Sequence, residues 1–306
     1  FRRVLFRSIK DKEFDIVISG MNPLLEEESF GDLSSKIRML GPKQDEIALA
    51  SHRMSLMEFL TRSPIPVIPG HLFESFEAAL EYAKEIKFPL VAKTDRTSVS
   101  KTWVCQNLEE LEEFLTHAMK EEKYGASGSR VIVQKFFKGP VISLSLLVEG
   151  KNIMILPYCH RFEQSDCLSF FKGGYIHPLG LERKWTQSLD EGIGFPRMHL
   201  LNNMLPEYRG MLGLDIVMTT RGHYVADVKM EWDPLSTMMV LPQLKSDWLS
   251  LCFDVLEGNL ENAEPSWKPQ AAAGFLFHAD DITVCNILRS LTAHQDESFF
   301  SFQGHS

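Results

Sequence analysis

The chain lacks any apolar run approaching the ~20 residues that cross a bilayer. It also lacks an opening leader of charged, then apolar, then small residues. Both absences lead to the expectation of a cytoplasmic protein with no membrane partner. Cysteine is scarce: Cys105, Cys159, Cys167, Cys252 and Cys285 form no Cys-x-x-Cys pair and are odd in number. That argues against a zinc ribbon and against a disulfide framework, and for reduced, mostly core thiols. An excess of positive charge is missing too. With 41 acidic against 32 basic residues the net charge is −9, so the overall field does not favour a nucleic-acid partner. There is no internal repeat and no low-complexity tract.

What is there is 306 residues, 44% of them hydrophobic. This is enough for a sizeable core and, by length, for about two domains. "RVLFRS", Arg3 to Ser8, looks like the translation of a sequencing adapter, and residues 1–8 are set aside as an artefact. The tail "SFFSFQGHS" stops without a cap or a charged run. The expectation is a chain clipped on both sides.

"EFDIVISG" and "KIRMLGP" have the pattern of buried parallel strands, as of the last strands of an α/β layer, with a boundary near Gln44. "DEIALASHRMSLMEFLTRS" has helical spacing up to the prolines of "PIPVIPG". Then come a helix "SFEAALEYAKEI", strands "FPLVAK" and "KTWVC", a helix "NLEELEEFLTHAMKEE" and a strand "SRVIVQKFF". Such alternation within about seventy residues describes a small α+β subdomain. The run Glu109 to Glu113 reads as the solvated face of its helix. Two hairpins follow, "VISLSLLVEGKNIMILPYC" turning at Glu149-Gly150-Lys151 and "GLDIVMTTRGHYVADVKMEW" turning at Arg221-Gly222. "LPQLKSDWLSLCFDVLEGNL" is an amphipathic helix ending at Gly258.

The order of these elements resembles the ATP-grasp fold, and the phrases themselves resemble the phosphoribosylamine–glycine ligase family of purine biosynthesis. The likeness runs from about Phe14 to Trp267 and is carried by "FDIVISG" with "NPLL", "MLGP", "IPVIPGHLFESFEAALEYAKEIKFPLVAK", "YGASGSRVIVQKFFKG", "ILP", "LPQLKSD" and "EGNL". The resemblance implies an α/β protein with α+β parts, in which two α+β subdomains clamp a nucleotide behind the remnant of an N-terminal parallel α/β domain. The implied divisions are 1–44 for the remnant, 45–265 for the ATP-grasp domain with a lid at about 66–135, and 266–306 for part of a C-terminal domain. It implies ATP and Mg2+ as cofactors, and glycine and phosphoribosylamine as substrates joined through an acyl phosphate. The oligomeric state is not implied.

By the same resemblance, Lys93 and Lys101 fall on lysines that reach the nucleotide phosphates. Lys93, leaving an apolar strand, also reads simply as an element boundary. Between them the family's glycine-rich loop is replaced by "KTDRTSVSKT". The glycines that let backbone N–H groups approach phosphates have thus become residues with side chains. The adenine hinge falls on Gln134, Lys135, Phe136 and Phe137, and Arg53 lies near a phosphate-binding lysine position. On the substrate side, His160, Arg161, Gly173 and Gly174 match loosely, and His160 and Arg161 read equally as surface residues. The metal ligands fall on Asp215 and Asp227, while Lys229 stands where the family has an asparagine ligand. Asp227 and Lys229 at i and i+2 share a sheet face, so a salt bridge filling an abandoned metal site is the other reading. Three functions stay open: a phosphoribosylamine–glycine ligase of impaired activity, a degenerate homologue that binds a nucleotide or a partner protein, and a ligase repurposed to another acid and amine.

Overall fold

The computed structural model describes residues 16–18, 38–63, 65–96, 102–120, 130–165, 170–176, 205–230, 239–268 and 272–277. Strands β1 (Ile16–Ile18) and β2 (Arg38–Leu40) pair in parallel, as their apolar patterns suggest. The expected long helix is two helices, α1 (Gln44–Ser51) and α2 (Arg53–Thr61). The break is at His52, which is extended (φ −127, ψ 121) and forms a backbone bridge to Arg96. Helical spacing runs through both halves, so the interruption is imposed from elsewhere in the fold. His52 has no side-chain cap to offer α2; instead Asp95 reaches in, and its Oδ1 accepts the Met54 N–H at 2.9 Å. Leu56, Met57 and Leu60 of α2 are buried. Each contributes about 1.5–3 kcal/mol, so packing rather than capping holds the helix in place.

A four-stranded sheet follows, in the order β3 (Gly70–Phe73), β6 (Val131–Lys135), β4 (Leu90–Thr94), β5 (Thr102–Cys105), antiparallel throughout. Two helices cover it, α3 (Phe76–Glu85) and α4 (Leu108–Leu115). Ser75 caps the first by accepting from Ala78 N–H, and Asn107 caps the second by accepting from Glu110 N–H. Ala79, Ala83, Leu111, Phe114 and Leu115 pack onto Leu90, Ala92, Val131 and Val133. Glu109, Glu112 and Glu113 lie exposed on the far side of α4, so the acidic run is a solvated face.

The larger sheet runs β12 (Gly222–Lys229), β11 (Arg209–Thr219), β7 (Val141–Glu149), β9 (Cys159–Ser165), β10 (Phe170–Ile176), β13 (Ala272–Phe277), with β8 (Asn152–Ile155) also on β7. Both expected hairpins form. Gly150 (φ 54) and Gly222 (φ 132) take the positive φ that each turn needs. Alternation along β7 and β11 sorts the faces. Ile142, Leu144, Leu146, Leu212, Leu214 and Ile216 face α1 and α2, while Leu147 and Met211 face α5 (Trp248–Glu257). That last helix starts at the Asp247 cap, after a separate 3-10 turn at Leu241–Gln243, and ends at Gly258 (φ 83). Cys105, Cys159 and Cys252 are buried free thiols; burial pushes Cys105 and Cys252 up to about 12, with Glu110 and Asp247 respectively adding to it. Cys167 and Cys285 lie outside the described residues. No helix among the described residues is long and apolar enough to cross a membrane.

Candidate nucleotide site

On the face of the large sheet that α5 covers, the character changes along the strands. Leu147 of β7 is apolar and packed, but Ser143, four residues back on the same face, is polar. The register then lines up Ser143 with Asp215 on β11, and Asp215 with Asp227 on β12. Two carboxylates therefore sit side by side on neighbouring strands, where like charges repel unless cations intervene. Four cations do. Arg161 Nη1 of β9 lies 3.3 Å from Asp215 Oδ2, and Lys229 Nζ of β12 lies 3.3 Å from the same oxygen. Arg53 Nε, from the start of α2, lies 3.5 Å from Asp227 Oδ1. Lys93, from β4 of the smaller sheet, crosses to the larger one and donates to the Ala226 carbonyl at 2.6 Å, beside Asp227. The Ser143 hydroxyl donates to Asp215 Oδ1.

Lys229 thus does not pair within its own strand with Asp227. It faces Gly213 across the ladder, whose missing side chain leaves room for the lysine to lie diagonally towards Asp215. Burial alone would raise the Asp227 carboxyl; Arg53, Lys93 and Lys229 outweigh that, against the opposing charge of Asp215, and hold it below the ordinary carboxylate range. The side chains of Arg53 and Arg161 are 2% exposed, and those of Asp227 and Lys229 10%. The cluster is largely shielded from water, so its charges act at close to full strength.

A divalent ion does not fit this arrangement. No group of three or more His, Cys, Asp or Glu suited to a metal occurs among the described residues. A unit charge 4 Å from another interacts by roughly 4 kcal/mol at an effective dielectric near 20, so an ammonium beside a divalent ion is opposed by about twice that. Asp215 already takes three donors, from Ser143, Arg161 and Lys229. Its Oδ2 is engaged by two cations and its Oδ1 by the Ser143 hydroxyl.

Arg53 also donates to the Thr94 carbonyl at 3.1 Å, which ties α2 to the end of β4. Among the hinge residues, Gln134 is buried and donates to the Ile68 carbonyl, Lys135 is exposed, Phe136 is 37% exposed, and Phe137 meets the Tyr224 ring edge-on at 4.8 Å. The chain after β6 then crosses β11 at Gly139, where a Cβ would stand 1.8 Å from the Met218 carbonyl oxygen. Only glycine passes there. His160 is half-buried, opposite Ile142 and Tyr175. Gly174 is opposite Arg161 on β10, and Gly173 is opposite Phe162. Lys101 lies outside the described residues, as does most of the loop before it. The structure therefore brings together Lys93, Arg53, Arg161, Asp215, Asp227 and Lys229.

Two features were not anticipated from the residues. Ser143 joins the cluster, and its signal was the alternation Ser143, Ser145 in an otherwise apolar strand. A second cluster stands nearby: Asp95, 0% exposed, takes Arg130 Nη2 at 2.6 Å and His52 Nδ1 at 3.0 Å.

The model of the phosphoribosylglycinamide synthetase ATP-grasp (A) domain matches residues 52–231. The chain belongs to that family. Its fold is the ATP-grasp fold, and Lys93 of the four-stranded sheet reaches the large sheet at Ala226. Phosphoribosylamine–glycine ligase of Caldanaerobacter subterraneus subsp. tengcongensis is 25% identical over 267 residues, 85% of this chain and 64% of that protein. The enzyme of the same name from Haemophilus influenzae is 24% identical over 90% of this chain and 66% of its own. The chain thus spans slightly under two thirds of the length of these curated relatives. The crystal structure of phosphoribosylamine–glycine ligase from Thermotoga maritima aligns with a TM-score of 0.68 at 16% identity, over 88% of this chain and 67% of that one. The crystal structure of a biotin carboxylase–beta-gamma-ATP complex from Campylobacter jejuni aligns with a TM-score of 0.67 at 19% identity, over 89% of this chain and 61% of that one.

Proposed function

We propose that the chain is the ATP-grasp part of a cytoplasmic phosphoribosylamine–glycine ligase-type protein of purine biosynthesis. In this reading it binds ATP at the cluster between the two sheets, and its ligation of glycine to phosphoribosylamine through an acyl phosphate is impaired. The observation that carries the reading is Lys93, a lid-strand ammonium delivered across to β12 beside Asp227. Lys93, Arg53, Arg161 and Lys229 would meet the phosphates, and Phe136 and Phe137 would border the base. The reaction needs charge neutralised on a transferring phosphoryl group and water kept out. Fixed cations serve the first need in part. The poor fit of Asp215 and Asp227 to Mg2+, together with the glycine-free loop, supports a slowed chemical step.

Thermal unfolding with and without ATP tests binding, since ligand at a hundred times its dissociation constant adds about 2.7 kcal/mol of stability. ADP release dependent on both glycine and phosphoribosylamine then tests the reaction. Stabilisation with slow, doubly dependent release is expected. No stabilisation at millimolar ATP would remove the nucleotide reading and leave a protein-interaction module. ADP release that needs a different acid or amine would leave a repurposed ligase.

A further inference from the structure

The sheet faces around Lys93 carry apolar surface as well as charge. Alternation along β4 puts Val91 on the same face as Lys93, and the register sets Val104 of β5 on one side of Val91 and Gln134 of β6 on the other. Helices α3 and α4 pack onto Leu90 and Ala92, which belong to the opposite face. Val91 is half-buried and Val104 is 40% exposed, so apolar surface stands open beside the lysine that crosses to the large sheet. On the large sheet, Val217 shares a face with Asp215, two residues back on β11, and Tyr224 of β12 stands opposite Val217. Tyr224 is half-buried, and the Phe137 ring meets it edge-on at 4.8 Å. Tyr224 therefore lies on the face of the carboxylate pair, two residues along β12 from the Ala226 carbonyl that Lys93 reaches.

An edge-on pair leaves at least one face of each ring uncovered by the other, and an aromatic face accepts a further flat ring by offset stacking. We propose that Tyr224 is the residue that makes this site selective for nucleotides over inorganic polyphosphates. Its ring, steadied by Phe137, is the surface on which the base stacks, with the phosphates running toward Lys93. The proposal rests on the nucleotide reading above and deepens it. The resemblance places base contacts only in the chain after β6, whereas Tyr224 stands on the other sheet and has no part in that pattern. A bare polyphosphate has no ring to stack, so the contribution of Tyr224 is confined to ligands that carry a base.

Isothermal titration of the full chain with ATP, and separately with inorganic triphosphate, is carried out on the unaltered protein and on Tyr224→Leu and Tyr224→Phe, with circular dichroism verifying that the variants fold. Tyr224→Leu should weaken ATP by about tenfold or more and leave triphosphate unchanged, while Tyr224→Phe, which keeps the ring, should bind both as the parent does. ATP bound as tightly by Tyr224→Leu as by the parent overturns this inference and leaves the nucleotide reading intact. An equal loss for ATP and triphosphate overturns it too, since that is what a merely structural tyrosine would give. Absence of ATP binding to the unaltered protein overturns both. Should Tyr224→Leu not fold, the unaltered protein decides: it should bind ATP about tenfold or more tighter than triphosphate, and equal binding overturns the inference.

Discussion

Two buried carboxylate clusters draw on adjoining residues in this fold, His52 and Asp95 in one, Arg53 and Lys93 in the other, and they are built to different rules. After β4, Asp95 is completely buried and held by Arg130, which also meets Glu74 at 3.9 Å, by His52 and by the Met54 N–H of α2. Every one of its partners is part of the protein, and the arrangement fixes where α2 begins. On the large sheet, Asp215 and Asp227 meet cations from β9, β12 and α2, and a fourth comes from β4 of the smaller sheet. The first cluster is complete as it stands. The second joins side chains from both sheets and from α2. Reach across the sheets, more than burial, separates the two clusters.

The comparison can be broken at several points. Asp95→Ala should cost the most, about 3–4 kcal/mol in urea unfolding, because it removes the acceptor that caps α2 and the buried carboxylate that Arg130 and His52 share. Inorganic triphosphate should not restore it. Asp227→Asn should cost about 3 kcal/mol by removing a buried negative charge that faces Arg53, Lys93 and Lys229, but triphosphate should recover most of the loss through binding. Equal rescue of the two variants would erase the distinction between clasp and site. Gly139→Ala should cost about 1–3 kcal/mol by driving the hinge away from β11. A crystal structure of that variant should show the lid displaced, and an unchanged melting temperature would contradict the close approach at Met218.

A pH series sharpens the same contrast. The folded Asp227 carboxyl lies below its ordinary value, so its ionised form contributes stability at all pH values above about 3.9. That contribution is lost as the pH falls below this point and through the folded value. Urea midpoints measured downward from pH 7 should therefore decline more steeply below about pH 4 in the parent than in Asp227→Asn. Parallel curves would show that Asp227 is not held ionised by its neighbours. The smallest effect is expected at the lid surface. Asn107→Ala removes one cap from α4 and should cost about 1 kcal/mol without altering triphosphate binding.

Much of the scaffold was legible in the residues. Short apolar runs closed by glycine or a charged residue became the strands of both sheets, and Arg221-Gly222 became a turn because only glycine takes φ 132 without strain. What escaped was set by distant contacts. The continuous helical spacing from Asp45 to Ser63 hides the break at His52, which arises from Arg96 and Asp95 more than forty positions on. The site was partly readable. Lys93, Asp215 and Asp227 stood out, but the i, i+2 rule on one strand suggested Lys229 against Asp227. The cross-strand diagonal past Gly213 carried it to Asp215 instead. Periodicity tells which face a side chain leaves from, while its partner depends on what the next strand has vacated.

The most direct measurement is a crystal structure of the protein soaked with ATP and Mn2+, recorded for anomalous scattering. The account predicts triphosphate oxygens against Lys229 and Arg161 with no anomalous peak beside Asp215 and Asp227. A manganese peak coordinated by both carboxylates, with the Lys229 ammonium swung aside, would contradict it.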